Sequence, residues 1–478
     1  MIRSLVFLFA LLMVPLCGAA QPDVLERPLQ DEIIYFVLPD RFFNGDTAND
    51  TGGYKGDRHS HGFDPTSKAF YHGGDLKGLT AKLDYLKGLG ITAIWMGPIF
   101  KNKPVQSDSA GYHGYWTIDF TQVDPHFGTN DDLKTLVEQA HKRGMRVFFD
   151  IIANHTADVI KYREVDGSGG SAAVYRPKTE YSYTTEGGSK GPAINQGFQG
   201  DSVRTEENFA KLTDPRWAYT PYVPEGEKNI KVPAWLNDPI YYHNRGDSTF
   251  SGENSQFGDF FGLDDLFTEN PKVVEGMIEI FKYWIREFKI DGFRVDTVKH
   301  VNIEFWEQFA PAIIAYAHEQ GIPQFFVFGE VYDATPELLS IYTTEGRLPA
   351  VLDFGFQAAA SGFVSEATPT ESLKGFFEKD DFYTDADSDA YSLPTFLGNH
   401  DMGRIGFFIQ RGHSADEDEM LRRSRLAHAL MYFARGIPVI YYGDEQGFTG
   451  DGVDQDARED MFPSQVASYN DNNLLGTD

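Results

Sequence analysis

The sequence predicts a (β/α)8 TIM barrel with an irregular domain inserted after the third strand. Three observations carry that prediction. Eight short β-rich runs alternate with amphipathic helical stretches between residues 31 and 446. The runs are almost continuously apolar, the pattern of parallel strands covered on both faces. Four of them end in ionisable side chains, as strands do where they open onto the C-terminal face of a barrel.

The first three runs are IIYFVLPDRF (33–42), TAIWMGPIF (92–100) and MRVFFDIIANH (145–155). DLKTLVEQAHKRG (132–144) has helical periodicity and joins the second to the third. Residues 156–264 then break the alternation. They are rich in Gly, Tyr, Pro and Asn with few long apolar runs, and a segment that long reads as a small domain on the barrel rim. VVEGMIEIFKYWIREF (273–288) restores the helical pattern and leads into IDGFRVD (290–296). FFVFGEVYD (325–333), AVLDFGF (350–356), SLPTFLGNHD (392–401) and IPVIYYGDEQ (437–446) complete the set. The expected organisation is a barrel built from 21–155 and 265–446, the insertion at 156–264, and a polar, loop-like tail at 447–478. An eighth helix and a C-terminal β domain are expected to be absent.

Residues 1–20, MIRSLVFLFALLMVPLCGAA, carry one early cation (Arg3), a short apolar run and then small residues, the pattern of a cleaved secretory leader. The run from Leu5 to Leu16 is short for a membrane span. A secreted protein, extracellular or periplasmic, is therefore expected, with cleavage after Ala20. Cys17 is the one cysteine, so the mature chain has no disulfide and relies on its core or on metal ions. Lys and Arg number 42 against 71 Asp and Glu, a net charge of −29. Such a chain repels polyanions, which excludes nucleic acid and, after leader cleavage, anionic membranes as partners. A neutral substrate and a monomeric state are expected. Aromatic residues make up 14% of the chain, enough to line a groove for ring-shaped ligands as well as to fill a core.

The chemistry lies in the strand ends. The third run ends in Asp150, Asn154 and His155, and the fourth in Arg294 and Asp296, followed by Lys299 and His300. The fifth ends at Glu330 and the seventh in Asn399, His400 and Asp401. Arg294 and Asp296 are two apart and share a strand face, which leaves Phe293 and Val295 for the covering helices. Asp296, Glu330 and Asp401 thus become neighbours at the barrel mouth. Like charges that close resist ionising together, so at least one pKa rises, while Arg294 holds Asp296 as the anion. One ionised and one protonated carboxyl is the requirement of retaining glycoside hydrolysis. A lone Asp at a strand end is more often a cap or an ion pair, and a lone His a satisfied hydrogen-bonding group. The conjunction of four such ends, in order, makes the case.

DIIANH, GFRVDTVKH, GEVYD and FLGNHD resemble, in order and spacing, the four signature regions of the α-amylase family (glycoside hydrolase family 13). AGYHGYWTIDFTQVDPHFGT (110–129) and GIPVIYYGDEQG (436–447) are similar to further family segments, so the resemblance covers about residues 31–450. It implies that Asp296 is the nucleophile, Glu330 the general acid/base, and Asp401 the carboxylate that steadies the distorted sugar. It further implies that Arg294, His155, His400, Tyr115 and His113 surround that sugar and that Lys299 reaches the leaving-group sugar.

The same resemblance implies calcium as the cofactor, with Asn154, Asp265 and the His300 carbonyl holding one ion between barrel and insertion. A second oxygen-rich set, Asn44, Asp46, Asn49, Asp50, the Gly73 carbonyl and Asp75, is similar to the N-terminal calcium site of cyclodextrin glycosyltransferases. An Asx-rich turn without an ion is the plainer reading of those loops. The implied activity is a secreted hydrolase cutting α-1,4-glucosidic bonds in starch-like glucans or maltooligosaccharides through a covalent glycosyl-Asp intermediate. The alternatives are a glucan transferase of the cyclodextrin glycosyltransferase kind and a cyclodextrin- or pullulan-degrading hydrolase, with the same site. A carbohydrate-binding relative with a dead site is disfavoured by the presence of all three carboxylates.

Overall fold

The computed structural model describes residues 24–165, 173–412 and 416–476. The leader at 1–20 and Cys17 lie outside the described residues. Eight strands form one sheet: β1 (Ile34–Val37), β2 (Ala93–Met96), β3 (Arg146–Ile151), β4 (Gly292–Val295), β5 (Phe326–Gly329), β6 (Ala350–Val351), β7 (Pro394–Thr395) and β8 (Ile437–Tyr441). All neighbours are parallel, in the order β6-β5-β4-β3-β2-β1-β8-β7. The ring is nearly closed. Between β6 and β7 the ladder is replaced by a single backbone hydrogen bond, from the Asp353 N–H to the Pro394 carbonyl, 2.9 Å. Pro394 has no N–H to return. Asp353 also caps the next helix through the Phe356 N–H and pairs with buried Arg435, so side chains fasten this seam.

The runs are shorter as strands than as sequence patterns. In the first, Pro39 starts a helical turn, Pro39–Phe42, because its fixed φ suits a helix N-terminus and ends the ladder. Inside the barrel, aromatic side chains fill the floor. Phe36 stacks on Trp95 at 3.8 Å, Trp95 meets Phe328 edge-on at 5.5 Å, and Phe148 meets both Phe326 and Phe328. Phe293 points the other way, onto Phe281 of a covering helix at 5.4 Å.

The helices have sequence-local causes. α1 (Asn130–Lys142) opens with a capping box between Thr129 and Asp132 and buries Leu133, Leu136, Val137 and Ala140 on one stripe. α2 (Pro271–Phe288) is capped by Asn270, starts with Pro and ends at Lys289 in the left-handed region. Its buried face includes Met277, Phe281, Trp284 and Ile285, each contributing about 1.5–3 kcal/mol. α3 (Ile303–Glu319) packs beside α2; α4 (Phe354–Ser365) covers β7 and α5 (Glu417–Phe433) covers β8. No described helix is long and apolar enough to cross a membrane.

The described part of 156–264 is mostly turns and coil around two-stranded pairings, Lys161–Tyr162 with Pro221–Tyr222 and His155–Thr156 with Asp264–Asp265. Aromatic contacts among Tyr183, Phe198, Phe209, Trp217 and Phe267 hold it. After β8 the described residues form three short 3-10 turns and no α-helix. This loop-like, polar stretch is packed rather than free. Arg458, Glu459 and Asp460 are buried, Glu459 against Arg404 at 2.6 Å and Asp460 against His72 at 2.7 Å. Its charges face buried partners of opposite sign or protonatable character, which polarity alone does not reveal.

Candidate active site

Arg294 is the hub of the barrel mouth. It is 1% exposed, rises from β4 over the Trp95 ring at 5.5 Å, and is shared by three carboxyls. Its Nη1 donates to Asp150 Oδ1 at 2.7 Å and to Asp296 Oδ1 at 2.8 Å, and its Nη2 pairs with Glu330 Oε2 at 2.7 Å. The register explains the gathering: Arg294 lies opposite Asp150 on β3 and Phe328 on β5, and Asp296 and Glu330 follow directly after β4 and β5. Thr297, in the left-handed region at φ 48°, turns the chain so that its N–H donates to Glu330 Oε2 at 3.2 Å.

Burial drives Asp296 and Glu330 upward, toward about 7. Arg294 opposes this in both; Asp150 and Asp401 add to it at Asp296, and Asp296 and Asp401 at Glu330. Burial likewise raises Asp150 to about 6 against the pull of Arg294. Arg294 pairs with Asp296 and also with Asp150 and Glu330. One guanidinium balances three buried carboxyls, so the set holds a proton near neutrality.

Asp401, on the loop after β7, has a side chain 41% exposed. Burial works against its ionisation, but His400, Arg458 and Arg294 outweigh it and lower its pKa. Tyr115 fixes the wall opposite. Gly114, at φ 89°, lets the loop turn where a Cβ would lie 2.0 Å from the Pro98 carbonyl oxygen. The Tyr115 hydroxyl then reaches Asp150 Oδ2 at 3.2 Å and His400 Nε2 at 2.9 Å, with the His400 and His113 rings stacked at 5.7 and 5.6 Å. His155 stacks on Phe260 at 5.3 Å. Its buried Nε2 has no partner within the protein, nor has His400 Nδ1. Burial lowers both histidines to about 3, so they are neutral hydrogen-bonding groups. Lys299 Nζ donates to the Tyr332 carbonyl at 2.5 Å.

These groups line one cleft of about 880 Å³. Asp296, Glu330, Asp401, His113, Tyr115, His155, Lys299 and His300 all border it, with Arg294 beneath. Sequence reasoning gave no role to several other residues here. Phe250, Phe260 and Phe261 form an aromatic ridge from the insertion, Phe261 being 79% exposed. The Phe-Phe doublet was a readable signal. The His300 ring, and not its carbonyl alone, faces the cleft, pinned by the Ser255 carbonyl at 2.8 Å. Arg458 and Asp454 arrive from beyond β8, where the sequence offers no recognisable pattern.

The two oxygen-rich sets differ in how they suit a cation. Around Asn44, buried Asn44 Oδ1 and Asn49 Oδ1 lack partners, and a Cβ on Gly73 would strike Asn44 Nδ2 and Asp50 Oδ1 at 2.6 and 2.8 Å. Burial raises Asp50, and nearby Asp75, Asp40 and Asp46 add to it, the signature of uncompensated negative charge. Asp75 accepts the Gly45, Asp46 and Gly78 N–H groups, while Asp46 turns onto Lys77 at 2.6 Å. The set offers hard oxygens on Asn44, Asn49, Asp50 and Asp75 and at the Gly73 carbonyl, of the kind calcium takes, while Asp46 pairs with Lys77. In the interior set, Asp265 is held by His243 at 2.6 Å, whose far nitrogen meets Glu269 at 2.9 Å. Although burial opposes it, Glu269 and Asp265 lift His243 to about 9. Asp265 thus shares its carboxylate with His243 rather than standing free. No cluster of three or more His, Cys, Asp or Glu poised for a metal occurs among the described residues.

A parallel eight-stranded barrel with carboxyls gathered at its C-terminal mouth defines a class of sugar-processing catalytic domains. The α-amylase catalytic-domain family matches residues 36–474, and the chain belongs to it. An α-amylase of Streptomyces lividans is 54% identical over 429 residues, spanning 88% of this chain and 45% of that protein. A cyclomaltodextrin glucanotransferase of Klebsiella oxytoca is 28% identical, over 89% of this chain and 60% of its own. The solved structure of an Anoxybacillus α-amylase superposes with a TM-score of 0.65 at 32% identity, covering 93% of this chain and 77% of that one. The chain spans about half the length, or less, of the first two curated relatives it matches.

Proposed function

We propose that this chain is a retaining glycoside hydrolase acting on α-1,4-glucosidic bonds of starch-like glucans or maltooligosaccharides. The observation that carries the reading is the sharing of one buried guanidinium by Asp296 and Glu330 at the floor of an aromatic-walled cleft. Two carboxyls bridged by a single Arg fit the close spacing of retaining enzymes, about 5 Å, better than the wider spacing that leaves room for a water.

In this reading an Asp296 oxygen attacks the anomeric carbon while Glu330 protonates the departing glycosidic oxygen. The C–O bond breaks and a glycosyl–Asp296 ester forms. Glu330, now a carboxylate, takes a proton from water; the water oxygen attacks the same carbon and releases Asp296. Asp401 and His155 border the sugar being distorted and bind its hydroxyls, while His400 holds Tyr115 from behind. Tyr115 stacks on it, and Lys299 and the phenylalanine ridge hold the leaving-group side. Proton NMR of fresh product checks the stereochemistry: α-anomers are expected, and β-anomers would sink the reading. Linear maltooligosaccharides are the expected product. The N-terminal oxygen-rich loop, and the glucanotransferase relative, favour transfer as the second reading, which cyclic or elongated products would reveal.

Phe261 touches substrate but no reacting atom, so Phe261→Ala is expected to raise KM about 3- to 10-fold with kcat changed less than about 2-fold on maltoheptaose. Calcium belongs to the same proposal as a structural ion on the Asn44–Asp75 loops. Removing it with a chelator is expected to lower the melting midpoint by several degrees, reversed by added calcium. Asp50→Asn should melt at one temperature with or without chelator; a retained calcium response would exclude this set as the site. The leader at 1–20 supports export.

A further inference from the structure

We propose that Arg458 is a positioning residue for Asp401, fixing the orientation and the charge of the third carboxylate from the segment beyond β8. The inference rests on the hydrolase reading above. Every polar edge of the Arg458 guanidinium is committed. Nε donates to the His400 carbonyl at 3.0 Å, Nη1 to the Tyr112 hydroxyl at 3.1 Å and Nη2 to Asp401 Oδ1 at 3.0 Å, and Asp454 completes the set as an ion pair. The main chain repeats the connection, with the Asp454 N–H on the Asp401 carbonyl at 3.0 Å. Arg458 is 7% exposed in spite of its charge, and its carrier turn is anchored on both sides. The Tyr441 hydroxyl holds the Ala457 carbonyl, the Tyr442 hydroxyl holds the Glu459 carbonyl, and the Met461 N–H meets the Arg41 carbonyl.

Asp401 needs such an anchor because its own loop gives it little. Its side chain is 41% exposed and its other oxygen meets only His400 Nε2, at 3.3 Å. The charged and titratable groups that face it include His400, Arg458, Arg294, Asp296, Glu330, Tyr332, His113 and Tyr115. His400 is neutral and Arg294 is spent on three other carboxyls. Among the described residues, Arg458 is therefore the one cation bonded directly to Asp401. A carboxylate that must meet two sugar hydroxyls in a fixed pose loses rate steeply when it swings, about 100-fold for an ångström of misplacement.

The test is a double-mutant cycle on an aryl maltoside whose activated leaving group keeps weak variants measurable. Wild type and Asp401→Asn come first. If the wild type fails to cleave, or D401N matches it, the hydrolase reading fails. With those in place, Arg458→Gln is expected to lower kcat about 10- to 100-fold with KM changed less than about 3-fold, and to cost less than about 3-fold in the D401N background. Arg458→Lys, which keeps the charge, should recover at least half of the loss on a logarithmic scale. Additive losses in the cycle, or a lysine no better than glutamine, overturn the proposal, since a merely structural arginine gives both. Should R458Q not fold, Tyr112→Phe carries the test alone, because it deletes only the hydroxyl bonded to Nη1. A loss of about 3-fold that vanishes in D401N supports the proposal; no loss, or an additive one, overturns it.

Discussion

Asp296→Asn is expected to abolish turnover, lowering kcat on soluble starch by about 10^4- to 10^6-fold while the circular dichroism spectrum stays that of the wild type. The size of the effect follows from what the side chain does. An amide cannot form the glycosyl ester, so the route itself is lost and only the positioning of water and substrate remains. The fold survives because the substitution is isosteric and removes one of three carboxyls crowded on Arg294. Activity within 10-fold of wild type would exclude Asp296 as the nucleophile.

Glu330→Gln is expected to lower kcat by about 10^2- to 10^4-fold on starch and far less on an aryl maltoside with an activated leaving group, which departs without a proton. The two substrates therefore separate loss of the acid from loss of binding. Proton linkage gives the direction with pH. Burial lifts the Glu330 carboxyl from 4.5 to about 7, so the wild-type rate is expected to fall as pH rises past about 7 and the acid is lost. E330Q has no such proton, and its alkaline limb on the activated substrate should flatten. Stability runs the same way with pH. A carboxyl that holds its proton more tightly when folded contributes stability below its unfolded pKa, and that contribution is gone once pH exceeds about 7. At pH 8 the glutamine variant is expected to melt about 2–3 °C above the wild type, because an unfavourable buried charge has been removed. A lower midpoint would mean that pairing with Arg294 outweighs burial.

The barrel and most of the site were legible because strands and site share one signal. An apolar run that ends in Asp, Glu or His announces both a parallel strand and a polar mouth, as at FRVD and FGEVYD. Strand lengths were not legible, since Pro39 and the polar caps end a ladder while the apolar pattern runs on. The sharing of Arg294 was hidden for another reason. Pairing Arg294 with Asp296 is a local inference, whereas its bonds to Asp150 and Glu330 depend on inter-strand register. Arg458 was invisible because DQDARED reads as a solvated stretch until Asp401, Arg404 and His72 are seen waiting for its charges. Asp265 shows another side of this: the family resemblance implied a metal ligand there, whereas its neighbour His243, at 2.6 Å, comes to it only through the fold.

The unlaced seam between β6 and β7 divides the catalytic set mechanically. Glu330 and Asp296 follow β5 and β4, on one end of the row of paired strands, whereas Asp401 follows β7, the opposite end of that same row. In space the two ends face each other; along the hydrogen-bonded ladder β5 and β4 lie far from β7, across the β3-β2-β1-β8 strands. The third carboxylate thus rides on the free edge at β7, away from the strands that carry the other two, tied across by Asp353, Arg435 and the turn that carries Arg458. A glucan gripped by both edges acts as a rivet through the joint, so tight binding of a distorted sugar and stiffening of the barrel are one event.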